Sequence, residues 1–399
     1  MTVRRLILVI VGIWLLGSLT LSILDQQRGL EPGMSSKELK RAISSLSSSL
    51  ATTGTAKRRP IFGDPDVTTS ENPQRSQWLR KALGTDGIAK KLKPAKNKTL
   101  SGVFESGTRS GQTKFEKSID AEVAVLSLFQ PWSGENNVFP RAWVDQAIDN
   151  NKVPLITWEP WSFSQTDFDQ PAFRLSTISN GDHDDYIRAW LSEARDWKGP
   201  MFVRFAHEMN GNWYPWGNHL NTPADYVAAW RHVVDLSREI GATNITWVWS
   251  PNETREQDVL DHFYPGNDYV DWIGVSGFNW PGLEPWQRWR SFSQIYDDFF
   301  SQVEKYDKPL MVAEIGVAEN ARGGPQTRAA WITETLADIR ANDPPIALVI
   351  WFNDPYTSGG KLYKWQIHES SPSVEAMKTS LADPAFTHNF FNLSEDYAE

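Results

Sequence analysis

Residues 204–216 read RFAHEMNGNWYPW. One carboxyl group, Glu208, stands beside the imidazole of His207, followed by the amides of Asn210 and Asn212 and the rings of Trp213, Tyr214 and Trp216. Apolar surroundings push a carboxyl toward its protonated form, so an acid in such company can hold and give a proton near neutral pH. Amides suit hydroxyl groups, and flat rings suit the C–H faces of sugars. The stretch also opens like the zinc pattern H-E-x-x-H, but the fifth position is Gly211, so the second histidine is missing and no metal or other cofactor is implied. A second acid, Glu314, lies in MVAEIG (311–316), an apolar setting in which an idle charge would be costly.

Such groups need a scaffold that brings distant chain segments to one place. Strand-like apolar runs occupy 100–107, 123–132, 153–161, 200–210, 245–252, 270–279, 309–316 and 347–354. Their near-continuous apolar character fits parallel strands buried on both faces. Amphipathic helices are expected between most of them. The clearest runs from an N-cap at Thr222, with Pro223 in the first turn, to a stop at Gly241. This alternation predicts a (β/α)8 TIM barrel. An open doubly wound sheet would want a Gly-rich phosphate turn after an early strand, and the chain has none. A barrel gathers its chemistry at the C-terminal ends of its strands. Those ends carry Trp158 and Glu159, His207 to Asn210, Asn279, Glu314 and Trp351, and no lysine. By strand count Glu208 falls on the fourth strand and Glu314 on the seventh. Arg204 precedes Glu208 by four positions, and period-two alternation turns it into the barrel. There it either keeps Glu314 ionised from below or serves as a core salt-bridge partner. Glu159 either contacts substrate hydroxyls or caps the next loop. Trp280, Trp286 and Trp289 either extend the cleft or pack on one another.

Charge is unevenly spread. Residues 26–98 hold 15 Lys and Arg against 6 Asp and Glu, whereas residues 99–399 carry a net charge of −19. The acidic part is a poor partner for nucleic acid and favours a neutral polymer. The chain has no cysteine, which excludes disulfides and thiolate metal sites and suits an oxidising compartment. After Arg4 and Arg5 a charge-free run of 19 residues (6–24) is long enough to span a bilayer, with the two arginines on the cytoplasmic side. The expected organisation is a transmembrane signal anchor over 1–24, a basic low-complexity linker over 25–98, and a globular domain over 99–399 outside the cytoplasm, as a monomer.

RFAHEMNGNWYPW, with MVAEIG about a hundred residues later, resembles glycoside hydrolase family 26. That family holds endo-β-mannanases, mixed-linkage β-glucanases and some β-1,3-xylanases, on a (β/α)8 barrel with catalytic glutamates at the ends of strands four and seven. The resemblance implies a retaining enzyme with Glu208 as general acid/base and Glu314 as nucleophile. It implies a substrate-side role for His207, Asn210, Trp213 and Trp216, and it makes Trp351 the floor of the central sugar site. One departure stands out: a tyrosine that usually follows strand six and bonds the nucleophile is replaced by Phe278, unless Tyr296 or Tyr356 reaches in. The reading is a membrane-tethered endo-β-glycosidase for a β-linked mannan or glucan. Its rival is a catalytically impaired polysaccharide-binding or export-accessory protein on the same barrel.

Overall fold

The eight apolar runs pair side by side in chain order. In the computed structural model, residues 91–388 are described except 94–96, 108–112, 134–136, 164, 166–168, 257, 281–286, 320–326, 343–344 and 359–360. The strands are β1 (Thr99–Phe104), β2 (Val125–Ser133), β3 (Val153–Ser162), β4 (Met201–Phe205), β5 (Ile245–Trp249), β6 (Trp272–Asn279), β7 (Leu310–Val317) and β8 (Ile346–Phe352). Each is parallel to the next, and β8 pairs back with β1, so the sheet closes into the expected barrel.

Helices cover the outside. They are α1 (Lys114–Ile119), α2 (Arg141–Asp149), α3 (Leu175–Ser179), α4 (Asp184–Trp197), α5 (Pro223–Ile240), α6 (Val259–Phe263), α7 (Phe292–Val303), α8 (Arg328–Ala341) and α9 (Ser371–Leu381). Helix α5 starts and stops where its sequence says. The Thr222 hydroxyl accepts the Asp225 N–H while the Asp225 carboxylate accepts the Thr222 N–H, and Gly241 ends the helix at φ 81°.

Strand alternation divides the apolar residues into two layers. Leu155, Phe202, Val248, Met311, Leu348 and Ile350 fill the barrel, whereas Ile156, Val203, Trp158 and Trp351 belong to the shell between barrel and helices. Among the described residues three strands lie beyond the expected eight: the hairpin β9 (Pro355–Ser358) and β10 (Lys361–Lys364), and β11 (Phe386–Thr387), which pairs with the start of β1.

The barrel begins earlier than residue 99. Leu92 is buried at 3% exposure among the inner residues. Its N–H donates to Thr246 Oγ1 (2.7 Å) and its carbonyl accepts from Trp272 Nε1 (2.9 Å), both at strand beginnings, so it plugs the floor. Lys91 pairs with Asp271, and Lys98 donates to the Pro384 carbonyl. Part of the basic run is therefore used on the barrel itself. The apolar run 6–24 and the linker up to residue 90 lie outside the described residues. Among the described residues no helix is long and apolar enough to cross a membrane.

Truncating a buried leucine leaves a cavity. Leu92→Ala is expected to lower the unfolding free energy by about 2–3 kcal/mol in urea denaturation. Unchanged stability would show that the plug contributes nothing.

Candidate active site

The centre of the site is a buried ion pair. Arg204 is fully buried, and its Nη2 lies 2.7 Å from Glu314 Oε1. The remaining guanidinium hydrogens go to hydroxyls on β3, β6 and the residue after β5: Thr157 Oγ1 (2.8 and 3.1 Å), Ser276 Oγ (3.2 Å) and Ser250 Oγ (3.4 Å). Ser276 Oγ in turn donates to Glu314 Oε1 at 3.1 Å. The ring of Phe129 lies 5.5 Å from the guanidinium carbon.

Strict alternation along β7 would not deliver Glu314. Met311 and Ala313 point into the barrel, which would turn Glu314 outward. The register between β6 and β7 shifts instead, from Val275 opposite Val312 to Ser276 opposite Glu314, leaving Ala313 as the extra residue of a bulge. A bulge re-aims the side chain that follows it, and here it turns Glu314 onto Arg204.

Glu208 arrives by a different irregularity. Strand β4 ends at Phe205, short of the expected run to 210. Ala206 and Glu208 then adopt left-handed backbone, φ 42° and 53°. Such conformations cost non-glycine residues about 1–3 kcal/mol and persist where the surroundings enforce them. The Glu208 N–H donates to the Ser250 carbonyl (2.8 Å), and its own carbonyl accepts from Gly211 (2.9 Å). Both carboxylate oxygens are held: Oε2 accepts from Trp213 Nε1 (2.7 Å) and Oε1 from Asn252 Nδ2 (3.0 Å).

One donor atom from each of His207, Glu208 and Glu314 lies within 4.8 Å of the others. His207 Nε2 sits 3.8 Å from Glu314 Oε1, and neither ring nitrogen has a hydrogen-bond partner among the described residues. Burial, reinforced by Arg204, lowers the His207 pKa well below its ordinary value, so the ring is neutral. The positive charge facing Glu314 is thus the guanidinium of Arg204. Burial first, and the nearby charge of Glu314 second, push Glu208 up to about 7. The bonds from Asn252 and Trp213, and the charge of Arg204, pull the other way. Glu159 is also buried and is pushed up to about 8, mainly by burial, with Glu314 and Glu208 adding to it. The arrangement can therefore keep one carboxylate charged beside a carboxyl that holds a proton at neutral pH.

Not every expected residue reaches this cluster. Arg204, His207, Glu208, Glu314 and Glu159 converge, and Trp213 stands at its edge, 41% exposed. Asn210 spends its amide on the Asn252 backbone, donating to the carbonyl (3.0 Å) and accepting from the N–H (2.9 Å), so it braces rather than faces a ligand. Trp216 is 1% exposed, donates to the His207 carbonyl and stacks on Tyr214 at 4.3 Å, which leaves no free face for a sugar. Trp158 points outward and stacks on Trp190 of α4 at 4.4 Å, because its neighbour Glu159 takes the inward position. Trp351 is likewise outward, beside Trp331 of α8, and Phe352 points in. Asn279 Oδ1 accepts from the Arg290 N–H and ties down the sixth loop.

Phe278 stacks on Trp365 at 4.1 Å and meets Phe352 edge-on, forming an apolar wall. Tyr296 does not replace the missing phenol at the carboxylate, since its hydroxyl donates to the Gly277 carbonyl (2.7 Å). The hydroxyl on Glu314 comes from Ser276, two positions before Phe278 on the same strand. Ser276, in the middle of β6, was not singled out by the sequence, and Asn252, which ends the run expected for the fifth strand, was placed on the rim without a role. Trp365, beyond the hairpin, gave no periodic signal.

Two titrations test this geometry. Glu314→Gln is expected to lower the Glu208 pKa, and Asn252→Ala to raise it, as read by carboxyl NMR; a Glu208 value indifferent to Glu314→Gln would separate the two groups. The second concerns stability. Glu159 has an ordinary value of 4.5 and a folded value of about 8. Its contribution is therefore complete below the unfolded value and lost as pH rises through the folded one. Glu159→Gln is expected to lose less stability than the parent between pH 5 and pH 9, as measured by denaturant melts.

Comparison with known proteins matches this architecture. Residues 165–329 match Glycosyl hydrolase family 26. The chain is 31% identical over 285 residues, 69% of its length, to Endoglucanase H of Acetivibrio thermocellus, covering 29% of that protein. It is 26% identical over 194 residues, 47% of its length, to Mannan endo-1,4-beta-mannosidase A and B of Caldalkalibacillus mannanilyticus, covering 34% of it. The chain thus spans about a third of the length of these curated relatives. Among solved structures, a family 26 β-mannanase from Bacteroides ovatus superposes with a TM-score of 0.55 at 17% identity, over 80% of this chain and 96% of that one. A modular endo-β-1,4-mannanase from Cellulomonas fimi gives 0.56 at 20%, over 78% and 75%. At these identities the structural likeness is one of fold. The two acids that meet at the ends of the fourth and seventh strands, Glu208 and Glu314, both lie within the segment that matches Glycosyl hydrolase family 26.

Proposed function

We propose that the protein is a retaining endo-β-glycosidase that cleaves a neutral β-linked polysaccharide, a glucan or mannan, across the open rim of the barrel. One observation carries this reading: carboxyl oxygens of Glu208 and Glu314 lie within 4.8 Å of each other, with an arginine on only one of them. Retaining glycosidases place their two carboxyl groups about 5–5.5 Å apart, and inverting ones about 6.5–9.5 Å.

The steps follow from the charges. Glu208 gives its proton to the glycosidic oxygen as that bond breaks, and the Glu314 carboxylate attacks the anomeric carbon. Water then enters, gives its proton to the Glu208 carboxylate and displaces Glu314 from the sugar. Arg204 and Ser276 hold the attacking carboxylate on one oxygen, leaving the other for the sugar. Trp213 offers an accessible ring next to the acid, where the departing sugar would lie. Ser276 weakens the case for an impaired barrel, because it supplies a hydroxyl to the nucleophile despite Phe278.

The Endoglucanase H likeness, longer than the one to the mannosidase, supports glucan as the first substrate to try. The apolar run at 6–24 supports attachment to a membrane with the barrel on the extracytoplasmic side.

Barley β-glucan, mannan and β-1,3-xylan, digested and analysed for reducing ends, are expected to give product from at least one polymer with the β-anomer appearing first. Glu208→Ala is expected to lower kcat/KM by about 10²–10⁴ while glycan binding persists. An unchanged product profile in that variant would favour a binding protein. Because Glu208 must carry a proton, activity is expected to fall as pH rises through about 7.

A further inference from the structure

Glu159 is a third buried acid for which the two-carboxyl mechanism has no use. Along β3 the inward positions are Val153, Leu155, Thr157 and Glu159: the first two fill the barrel, and Thr157 accepts from Arg204. Glu159 is the next inward residue toward the rim, one storey above the Arg204 layer. Its one observed hydrogen bond is accepted by Oε2 from Trp161 Nε1 at 3.3 Å. Among the described residues it forms no ion pair, since Arg204 is committed to Glu314. The residue is 1% exposed.

An anion so placed would be desolvated and would feel the charges of Glu314 and Glu208; burial outweighs the pull of the Trp161 indole and of Arg204 and favours the neutral form. A neutral carboxyl carries an O–H that must find an acceptor. Apart from the Trp161 indole no described group hydrogen-bonds to it, and the charges of Arg204, Glu314 and Glu208 all reach it. We propose that Glu159 is a neutral hydrogen-bond donor to a hydroxyl of the sugar held between Glu208 and Glu314, and so a determinant of which hydroxyl configuration the site accepts. This rests on the glycosidase reading. Glucose and mannose differ in the direction of one ring hydroxyl, which a fixed donor in a rigid barrel can distinguish.

Binding measured without turnover tests the idea. In a Glu208→Gln background, affinity for a mixed-linkage β-glucan tetrasaccharide and for mannotetraose is measured by calorimetry from pH 6 to pH 9. The bound sugar is expected to lose about tenfold in affinity as Glu159 ionises, the worth of one such hydrogen bond. Adding Glu159→Gln, which keeps a donor, is expected to hold affinity within about threefold and to flatten the pH dependence. Adding Glu159→Ala is expected to cost about tenfold at every pH. A glutamine variant as weak as the alanine one at pH 6 would mean that a carboxylate acceptor is required, and would overturn the proposal. So would an alanine variant that binds like its parent, which is the result for a purely structural residue. If the parent binds neither oligosaccharide and the wild type cleaves neither polymer, the glycosidase reading falls and this inference falls with it. Binding or cleavage without the Glu159 effects sinks only the inference.

Discussion

A guanidinium with no access to water cannot stay in a protein without an anion and a full set of acceptors. Arg204 meets that demand at the middle of the barrel, and most of the site follows from it. Its partners come from β3, β6, β7 and the residue that follows β5, so four strands including its own and the end of a fifth are tied to one planar group. The pair fixes which acid is charged. That charge then helps to keep the proton on Glu208, and it reaches Glu159 as well. Three carboxyls can share a small buried volume because only one of them has a cation in contact.

Both carboxyls of the proposed reaction come from places where the regular strand breaks. A bulge at Ala313 turns Glu314 inward, and a left-handed turn after β4 lifts Glu208 over the rim. Departures of this kind concentrate at working sites, where local strain is held by good packing on either side. Here Glu208 is restrained through its backbone by Ser250 and through its carboxylate by Trp213 and Asn252.

The same irregularities set the limit of what the sequence could reveal. The eight strands were legible because parallel strands buried on both faces are apolar throughout, and Thr222, Pro223 and Gly241 marked a helix unambiguously. The pairing of Glu208 with Glu314 was legible from family resemblance and strand count. Which neighbours face the site was less so. Trp158 and Glu159 are adjacent on a strand and point opposite ways, so they cannot both line the cleft. Many of the 20 tryptophans fill the shell between barrel and helices, where bulk is useful and no sugar reaches. Asn252 and Ser276 have short polar side chains, and only their distances to Glu208 and Glu314 distinguish them.

The position of Leu92 has a practical corollary. It enters the barrel through the mouth where the strands begin, while the acids open through the mouth where they end. Cargo joined upstream of Lys91 therefore departs from the far side of the cylinder. A support, a dye or a partner domain attached there leaves the approach of a long polymer unobstructed, which makes this end the natural handle for immobilising the protein.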